Sequence, residues 1–280
     1  MVNEPFDLEY WKTVFPIDRL HEIFPDYPYL NDLGDVDVTS PFHLVVNEYL
    51  REQNPGSQQK EPNPVDLFVW AYGEPSQREV TKIGGLPYFP ASRPWPQSVE
   101  GEPLEFMAQI CFKDSFDICG VLPGDVLLIF AKPNGTIFYD SVFTDDSSVF
   151  HFEWVSMGDF PLVLPTHLPP SRLNILPCYG AIYRTIEPIA GTKIGGVPSW
   201  IQEEVSVPGR FLFQLHSIAP ESLLPYPFIN VAARPVLPKT DQLQFYDSWS
   251  VLGIPLCWGD LGQVYFFLDG DELHWVAQCS

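Results

Sequence analysis

Basic residues are scarce in this chain of 280 residues, where 15 Lys and Arg stand against 36 Asp and Glu and the formal net charge is −21. A nucleic-acid backbone needs neutralisation by Lys and Arg, so this charge argues against nucleic acid as a partner. It argues equally against an anionic membrane surface. Such acidity serves solubility or favours a basic protein partner, and both interpretations stay open.

Long apolar runs and paired cysteines are lacking too. No apolar run reaches the roughly 18 residues of a membrane span, and Met1–Tyr10 has three acids and no base, unlike a signal peptide. The five cysteines have irregular spacing and include no CxxC pair, so neither a metal site nor a redox motif is expected. These features predict a cytoplasmic protein with reduced thiols, without metal or cofactor.

Catalytic motifs of known families are missing as well. The chain has no GxSxG, Walker, dinucleotide-binding or kinase-like string, and its six histidines form no metal-binding pair. A nucleophilic role for Cys257 would need a histidine brought near by folding, and no flanking signature supports it. The sequence therefore favours binding over catalysis, although carboxylates paired only by folding would escape notice.

What the chain has in excess is aromatic residues, at 15%, and proline, with 30 residues. Aromatic side chains suit strands, and frequent proline keeps elements short. The prediction is a mainly β roll or sandwich that borders on α+β. Short apolar runs between turn signals predict strands at 66–72, 106–112, 126–131, 136–139, 149–155, 211–215, 264–268 and 273–277. Hairpin turns are expected at Asn134-Gly135 and Asp269-Gly270.

The first 64 residues differ from the remainder. Apolar spacing predicts helices over 6–15 and 41–52, and a polar Pro/Gly-rich linker follows over 53–64. We interpret residues 1–64 as an acidic helical extension and 65–280 as a duplicated β domain. The β domain is expected to stay folded without residues 1–60.

The β domain contains an internal repeat. Thr81–Pro87 recurs about 110 positions later as Thr192–Pro198, and six of the seven residues are identical. This repeat predicts two halves, about 65–160 and 175–280, which are related by a pseudo-twofold axis and pack together. Its paired glycines predict sharp turns with positive φ at Gly84, Gly85, Gly195 and Gly196.

Two further blocks repeat in the same order. Gln109, in an apolar strand, is echoed by Gln214, and Gly124-Asp125 is echoed by Gly259-Asp260. Three blocks in the same order in both halves are hard to obtain by chance. They support the duplication independently of the diglycine segments.

These blocks also carry a resemblance to a known family. The sequence resembles the YwqG-like family of bacterial proteins, a domain family of unknown function, over residues from about 65 to the C-terminus. The resemblance rests on the blocks Lys82–Phe89, Trp95-Pro96, Phe106–Ile110, Leu122–Asp125, Lys193–Gly196 and Trp258–Gly262. It implies a mainly β fold and provides no catalytic residues. Because family members occur near polymorphic-toxin loci, it also implies an immunity or partner-binding role.

The repeated polar and aromatic residues have two interpretations. In one they line a ligand-binding cleft between the halves. The residues of that candidate cleft are Gln109, Gln214, Asp125, Asp260, Lys82, Lys193, Trp95 and Trp258. In the other, each glutamine binds backbone groups of a diglycine turn. A Lys–Asp pair then locks each half, and the tryptophans anchor loops or the core.

Two functional hypotheses follow. The first is a monomeric, cytoplasmic interaction protein, in particular an immunity protein that binds a basic toxin through an acidic surface. The second is an enzyme or small-ligand-binding protein that uses the cleft between the halves. A deep cleft with convergent repeated residues would favour the second, and a filled interface would count against it.

Overall fold

A single antiparallel sheet dominates the computed structural model, which describes residues 7–14, 44, 45, 48, 63–132, 143, 147–170, 177–185, 191–218, 256–259 and 262–279. Ten strands lie within these residues. They are β1 (Val65–Tyr72), β2 (Lys82–Ile83), β3 (Glu105–Cys111), β4 (Val126–Ala131), β5 (Phe150–Val155), β6 (Cys178–Thr185), β7 (Lys193–Gly195), β8 (Arg210–His216), β9 (Gln263–Asp269) and β10 (Glu272–Gln278). The predicted mainly β class is confirmed.

The described helices are few and short. They are α1 (Leu8–Val14) and α2 (Phe116–Cys119), with 3₁₀ turns at Lys113–Ser115, Ser147–Val149 and Pro165–His167. The carboxylate of Asp7 caps α1 by accepting a hydrogen bond of 3.0 Å from the Tyr10 backbone N–H. The helix predicted over 6–15 is thereby confirmed in its central part.

The N-terminal segment contributes to the main core. Trp11 of α1 is buried there, and so are Leu44 and Val45, which have helical backbone within the segment predicted as a second helix. These residues belong to the same buried cluster as Leu67 of β1. The domain boundary at 64/65 stays a prediction. Because these N-terminal residues pack in the main core, we expect removal of residues 1–60 to destabilise the remainder, contrary to the expectation from the sequence.

The strand order reveals how the halves join. It runs β10-β9-β8-β7-β1-β6-β2-β3-β4-β5, so each first-half strand and the strand five later occupy symmetric positions. The exchange lies at the centre, where β1 pairs with β6 and with β7, and β6 pairs with β1 and with β2. Each half therefore completes its own sheet with the first strand of the other half.

The registers of the two halves match in detail. Lys82 pairs with Gln109 across β2 and β3, and Lys193 pairs with Gln214 across β7 and β8. The β3–β4 register shifts between Phe106 and Ala108, and the β8–β9 register shifts at the equivalent place, between Phe211 and Phe213. The predicted equivalence of the two diglycine segments is confirmed.

The register also corrects one proposed equivalence. Val126 is the partner of Cys111, and Gln263 is the partner of His216, so Val126 and Gln263 are counterparts. The counterpart of Asp125 is therefore Gly262, not Asp260, because the chain before β9 carries two more residues than the Gly-Asp pattern implies. Asp260 itself lies outside the described residues.

The sheet curls, so that its two ends meet. Phe150 of β5 packs against Trp275 of β10, with ring centroids 4.9 Å apart, although these strands end the sheet on opposite sides. Phe112 and Phe213 also meet, with their ring centroids 5.8 Å apart. Aromatic side chains therefore fill the space between the inner faces of the halves, where the candidate cleft was predicted.

Candidate functional site

The repeated diglycine turns adopt the backbone conformation that their sequence predicts. Gly84 and Gly85 have φ of 61° and 69°, and Gly195 and Gly196 have φ of 78° and 70°. Close packing excludes side chains as well, since a Cβ on Gly85 would lie 1.9 Å from Oε2 of Glu74. Each turn thus needs glycine because its φ angles are positive and because neighbouring atoms leave no room for a Cβ.

The two repeated glutamines close these turns from within the sheet. Oε1 of Gln109 accepts a hydrogen bond of 2.7 Å from the Tyr88 backbone N–H, and its Nε2 donates to the carbonyls of Arg78 and Val80, both at 2.7 Å. Each of these bonds stays inside the first half. The structural interpretation of Gln109 is the one that the geometry supports.

Gln214 makes the equivalent arrangement in the second half. Its Oε1 accepts a hydrogen bond of 3.0 Å from the Ser199 backbone N–H, and its Nε2 donates to the Gly191 carbonyl at 2.8 Å. A further bond of 3.0 Å runs from Nε2 to Oε1 of Gln263. Gln109 and Gln214 are both 0% exposed, so neither amide is presented to a ligand.

The two repeated lysines, Lys82 and Lys193, are buried as deeply as the two glutamines. Lys82 forms an ion pair with Glu74, whose other carboxylate oxygen accepts a hydrogen bond of 3.1 Å from the Leu86 backbone N–H. Nζ of Lys193 lies 2.7 Å from the hydroxyl oxygen of Ser199. Burial lowers the pKa of Lys82, against the opposing effect of Glu74, and it lowers the pKa of Lys193 to about 8.

The predicted Lys–Asp lock is wrong for the first half. Asp125 accepts a hydrogen bond of 2.6 Å from the Met157 backbone N–H, and Lys82 pairs with Glu74 instead. The physical reason is position. Asp125 precedes β4 and lies beside the end of β5, whereas Glu74 lies on the turn after β1, next to the diglycine segment.

The tryptophans serve loops and the core. Nε1 of Trp95 donates a hydrogen bond of 2.8 Å to the Leu104 carbonyl, and its ring packs on Phe89 and Phe130. Trp258 is 0% exposed within the main core. The anchoring interpretation of both tryptophans is the one that the structure supports.

Two repeated threonines, which the sequence argument passed over, belong to the same arrangement. Oγ1 of Thr81 accepts a hydrogen bond of 2.9 Å from the Cys111 backbone N–H, and Oγ1 of Thr192 accepts one of 3.1 Å from that of His216. Both threonines begin the repeated segment, so the repeat was the signal that could have revealed them.

A charged network at the strand exchange was not predicted. Asp66 of β1 is fully buried, and its carboxylate accepts hydrogen bonds of 2.7 Å from Nε and Nη2 of Arg184, its cross-strand partner on β6. Ser115 donates to the same carboxylate at 2.6 Å, and Asp117 accepts from Nη1 of Arg184 at 2.6 Å. The hydrogen bonds to Asp66 raise the pKa of Arg184. The network joins both halves and α2.

Four of the described cysteines are buried and have the properties of core residues, and Cys279 is partly buried. Burial raises the pKa of Cys111 and Cys119 to about 12 and raises that of Cys178 further, so these thiols stay protonated at neutral pH. Cys257 is buried and donates to the Gly259 carbonyl at 3.3 Å. Cys111, Cys119 and Cys178 thus lack the lowered pKa of reactive cysteines, and burial denies Cys257 the access that such cysteines have.

Within the part of the chain that the structure describes, no three His, Cys, Asp or Glu side chains are grouped to hold a metal ion. None of the described helices is long and apolar enough to cross a bilayer.

Comparison with known protein families gives a match to part of the chain. Residues 81–160 match the model of a domain of unknown function, DUF1963. The matched stretch begins at Thr81 in the first diglycine segment and includes β2–β5. The YwqG-like proteins belong to this domain family. No curated protein matches the chain.

Proposed function

We propose that this protein acts by binding a basic protein partner, as an immunity protein does when it neutralises a basic toxin. The observation that carries the proposal is the net charge of −21. Charge of this size steers an oppositely charged partner into fast association, which weakens as salt rises. It also disfavours the polyanionic partners that basic proteins bind.

Acidic side chains stand at the surface of the second half, where a partner could reach them. Glu203 and Glu204 are exposed on the loop before β8, and Asp269, Asp271 and Glu272 are exposed at the β9–β10 hairpin. Gly209, at the end of that loop, packs against the backbone of Leu268 and Asp269. The loop ends beside the hairpin at Gly209, whereas Glu203 at its start lies beside Gln278 at the far end of β10, so the acids are distributed along the surface of this half.

The rival function, an enzyme or small-ligand-binding protein with a cleft between halves, loses its principal residues. Gln109, Gln214, Lys82 and Lys193 are at most 1% exposed and bind groups of their own halves. Aromatic contacts such as Phe150–Trp275 fill the space that the cleft would need. These four repeated polar side chains thus offer no convergent surface for a substrate, and Asp260 lies outside the part of the chain that the structure describes.

The proposal is tested by affinity capture from the native host at low ionic strength, followed by reconstitution with the purified partner. We expect a partner with an excess of Lys and Arg, and a dissociation constant that rises steeply between 50 and 300 mM salt. Glu203→Gln combined with Glu204→Gln is a charge-removing variant, and Gln77→Glu is a control that adds charge elsewhere. No specific partner at low salt, or one whose affinity ignores salt, would overturn the proposal.

The immunity role has its own test. Expression of the captured partner alone should arrest growth of a host cell, and coexpression of this protein should restore it. A partner that is harmless to the cell would remove the immunity role and leave the binding proposal in place.

A further inference from the structure

The first half carries a short segment for which the described second half has no equivalent. We call residues Pro161–Val163 the strap. The Val163 backbone N–H donates a hydrogen bond of 2.9 Å to the Phe89 carbonyl, and the Ala91 backbone N–H donates one of 2.8 Å to the Pro161 carbonyl. Pro90 and Leu162 form the antiparallel bridge between these bonds.

The strap covers apolar surface as well as backbone. Val163 is buried and Leu162 partly buried, in the same apolar cluster as Phe89. Nη1 of Arg78 donates a hydrogen bond of 2.7 Å to the Val163 carbonyl. Pro90, beneath the strap, is buried. The first half thus shows which chemistry fits this place, namely an extended aliphatic segment held by backbone hydrogen bonds.

The repeat identifies the corresponding place in the second half. Gln109 binds the backbone N–H of Tyr88, as Gln214 binds that of Ser199, so these two residues are counterparts. The next residues, Phe89 and Trp200, are counterparts by contact as well. Phe89 lies 5.9 Å from Phe130 and Trp200 lies 6.1 Å from Phe267, between ring centroids. Pro90 and Ala91 therefore correspond to Ile201 and Gln202.

At that place the second half is open. No backbone group within the described residues bonds to the backbone of 200–202, where the counterpart segment 89–91 has two such bonds to the strap. Ile201, the counterpart of buried Pro90, is 36% exposed, and Val205 is 40% exposed. The Trp200 carbonyl is the counterpart of the carbonyl that receives the Val163 N–H.

The open site is stable without an occupant, as a binding site must be. Oε1 of Gln278 accepts a hydrogen bond of 3.0 Å from the Gln202 backbone N–H, and Nε2 of Gln278 donates to the Glu203 carbonyl at 2.7 Å. The Ile201 backbone N–H donates to the Tyr265 hydroxyl at 2.9 Å. The Gln202 N–H, which is the counterpart of the Ala91 N–H that the strap pairs, is therefore satisfied by a side chain, and Ile201 corresponds to Pro90, which has no N–H.

We infer that residues 197–205 dock an extended, basic, aliphatic segment of the partner in the position that the strap holds on the first half. This inference rests on the proposed function for the partner's charge. Counting on from Phe89 and Trp200 makes Glu203 and Glu204 the counterparts of Ser92 and Arg93. The second half is therefore acidic at two positions where the first half has a neutral and a basic residue. A backbone N–H of the segment donates to the Trp200 carbonyl, its aliphatic side chains cover Ile201 and Val205, and its flanking cations face the two glutamates.

The probe is a synthetic peptide with the sequence of residues 160–165 between two pairs of lysines, labelled for fluorescence anisotropy. A second peptide has serines in place of the lysines, and a third has the central sequence scrambled. We expect the full-length protein to bind the lysine peptide, and to bind each of the other two at least about tenfold more weakly. Hydrogen exchange of residues 197–205 should slow only with the lysine peptide.

Variants locate the binding. Ile201→Glu and Val205→Glu should each weaken the lysine peptide about tenfold or more, since each adds a charge to the docking surface. Val121→Glu, at a side chain that is 95% exposed in the first half, is the matched control and should leave affinity within twofold. Thermal unfolding of each variant shows whether it is folded. Two site variants are used so that the test remains valid if one of them does not fold.

The outcomes separate this inference from the proposed function. Absence of peptide binding to the wild type, as when another segment of this chain already fills the site, overturns the inference. Equal binding by the site variants and Val121→Glu overturns it too. A basic partner that binds Ile201→Glu as tightly as wild type overturns the docking site and leaves the proposed function standing. Peptide binding that the variants abolish supports the site even where no host partner is captured.

Discussion

At the scale of single residues, one device occurs twice. A glutamine on the strand after each diglycine turn accepts from the backbone after the turn and donates to the backbone before it. Buried amides must find partners, and here the partners are the groups that a sharp turn leaves unpaired. The repeated glutamines thus hold the turns in place.

The glutamines give the first prediction. Gln109→Leu and Gln214→Leu should each lower the free energy of unfolding by about 2 kcal/mol or more, because each buried backbone group left unpaired costs about 1–3 kcal/mol. Urea denaturation measures the loss. Gln77→Leu, at an exposed glutamine, is the control and should change stability by less than about 0.5 kcal/mol. Equal stability of all three variants would contradict this role of the two glutamines.

A pair of glycines separates dihedral strain from steric contact. Gly85 and Gly120 have φ of +69° and +66°, yet a Cβ on Gly120 would meet nothing within 4 Å whereas one on Gly85 would meet Glu74 at 1.9 Å. Gly120→Ala should therefore cost about 1–3 kcal/mol for backbone conformation alone, since its ψ of −151° lies in a region that essentially only glycine adopts. Gly85→Ala should cost clearly more in the same denaturation assay, because it also displaces the carboxylate that binds Lys82. Equal losses of unfolding free energy in the two variants would show that the Glu74 side chain moves aside at no cost.

Lys193 predicts a dependence of stability on pH. Its pKa is lowered to about 8 by burial, and an unfolded lysine titrates near 10.4. Between these values the unfolded chain binds a proton that the folded chain has released, so this residue's contribution to stability rises with pH. The free energy of unfolding of wild type minus that of Lys193→Met should be level below about pH 8 and rise towards pH 10. Lys113→Met, at an exposed lysine, is the control, and a level difference for Lys193→Met throughout would contradict the prediction.

At the scale of elements, the sequence predicts the strands that carry their own signal. Apolar runs predict β4 at its observed limits and six other strands within about a residue. The β9–β10 hairpin forms where it is expected, but Asp269 still pairs with Glu272, so Gly270, with φ of 61°, and Asp271 form the turn in place of Asp269-Gly270. The strand over 136–139 and the Asn134-Gly135 turn lie outside the described residues. Such strands can be predicted from the sequence because a strand that is buried on both faces has an uninterrupted run of apolar residues.

Three strands lack such a signal. β2 and β7 are only two and three residues long, so pairing with their neighbours defines them. β6 contains Gly180, which is unusual within a strand, and the structure gives its reason, since a Cβ there would lie 2.6 Å from the ring of Phe68. Without β6 the exchange and the Asp66–Arg184 pair could not be foreseen.

The candidate site was predictable only in part, for a related reason. The repeat identifies the glutamines, lysines and glycines that share one local arrangement. It cannot identify Glu74 as the partner of Lys82, because that carboxylate precedes the repeated segment. The open site at Ile201 depends on a comparison of the folded halves, where the buried Pro90 and its strap provide the contrast.

The N-terminal elements give a prediction at this scale. Val45 is 0% exposed in the main core, and Thr13 of α1 is exposed. Val45→Asp should lower the midpoint of thermal unfolding by many degrees, since it buries an unpaired charge. Thr13→Asp, which adds the same charge at the surface, should shift the midpoint little. A Val45→Asp protein as stable as wild type would restore the view that residues 1–64 lie apart from the core.

At the scale of the whole molecule, strand exchange makes the two halves one structure. β1 lies between β6 and β7, so the first half cannot complete its sheet without the second, and the ion pair between buried Asp66 and partly exposed Arg184 spans the same junction. The described repeated polar residues are therefore part of the scaffold, and the recognition that we propose uses the acidic surface of the second half instead.

The most direct test of this account is urea denaturation of wild type, Gln109→Leu and Gln214→Leu, followed by hydrogen exchange that resolves peptides from each half. Shared strands predict a single transition in which β3–β4 and β8–β9 lose protection together, and either substitution should shift both halves by the same amount. Two transitions, each shifted only by the substitution in its own half, would contradict the exchanged sheet.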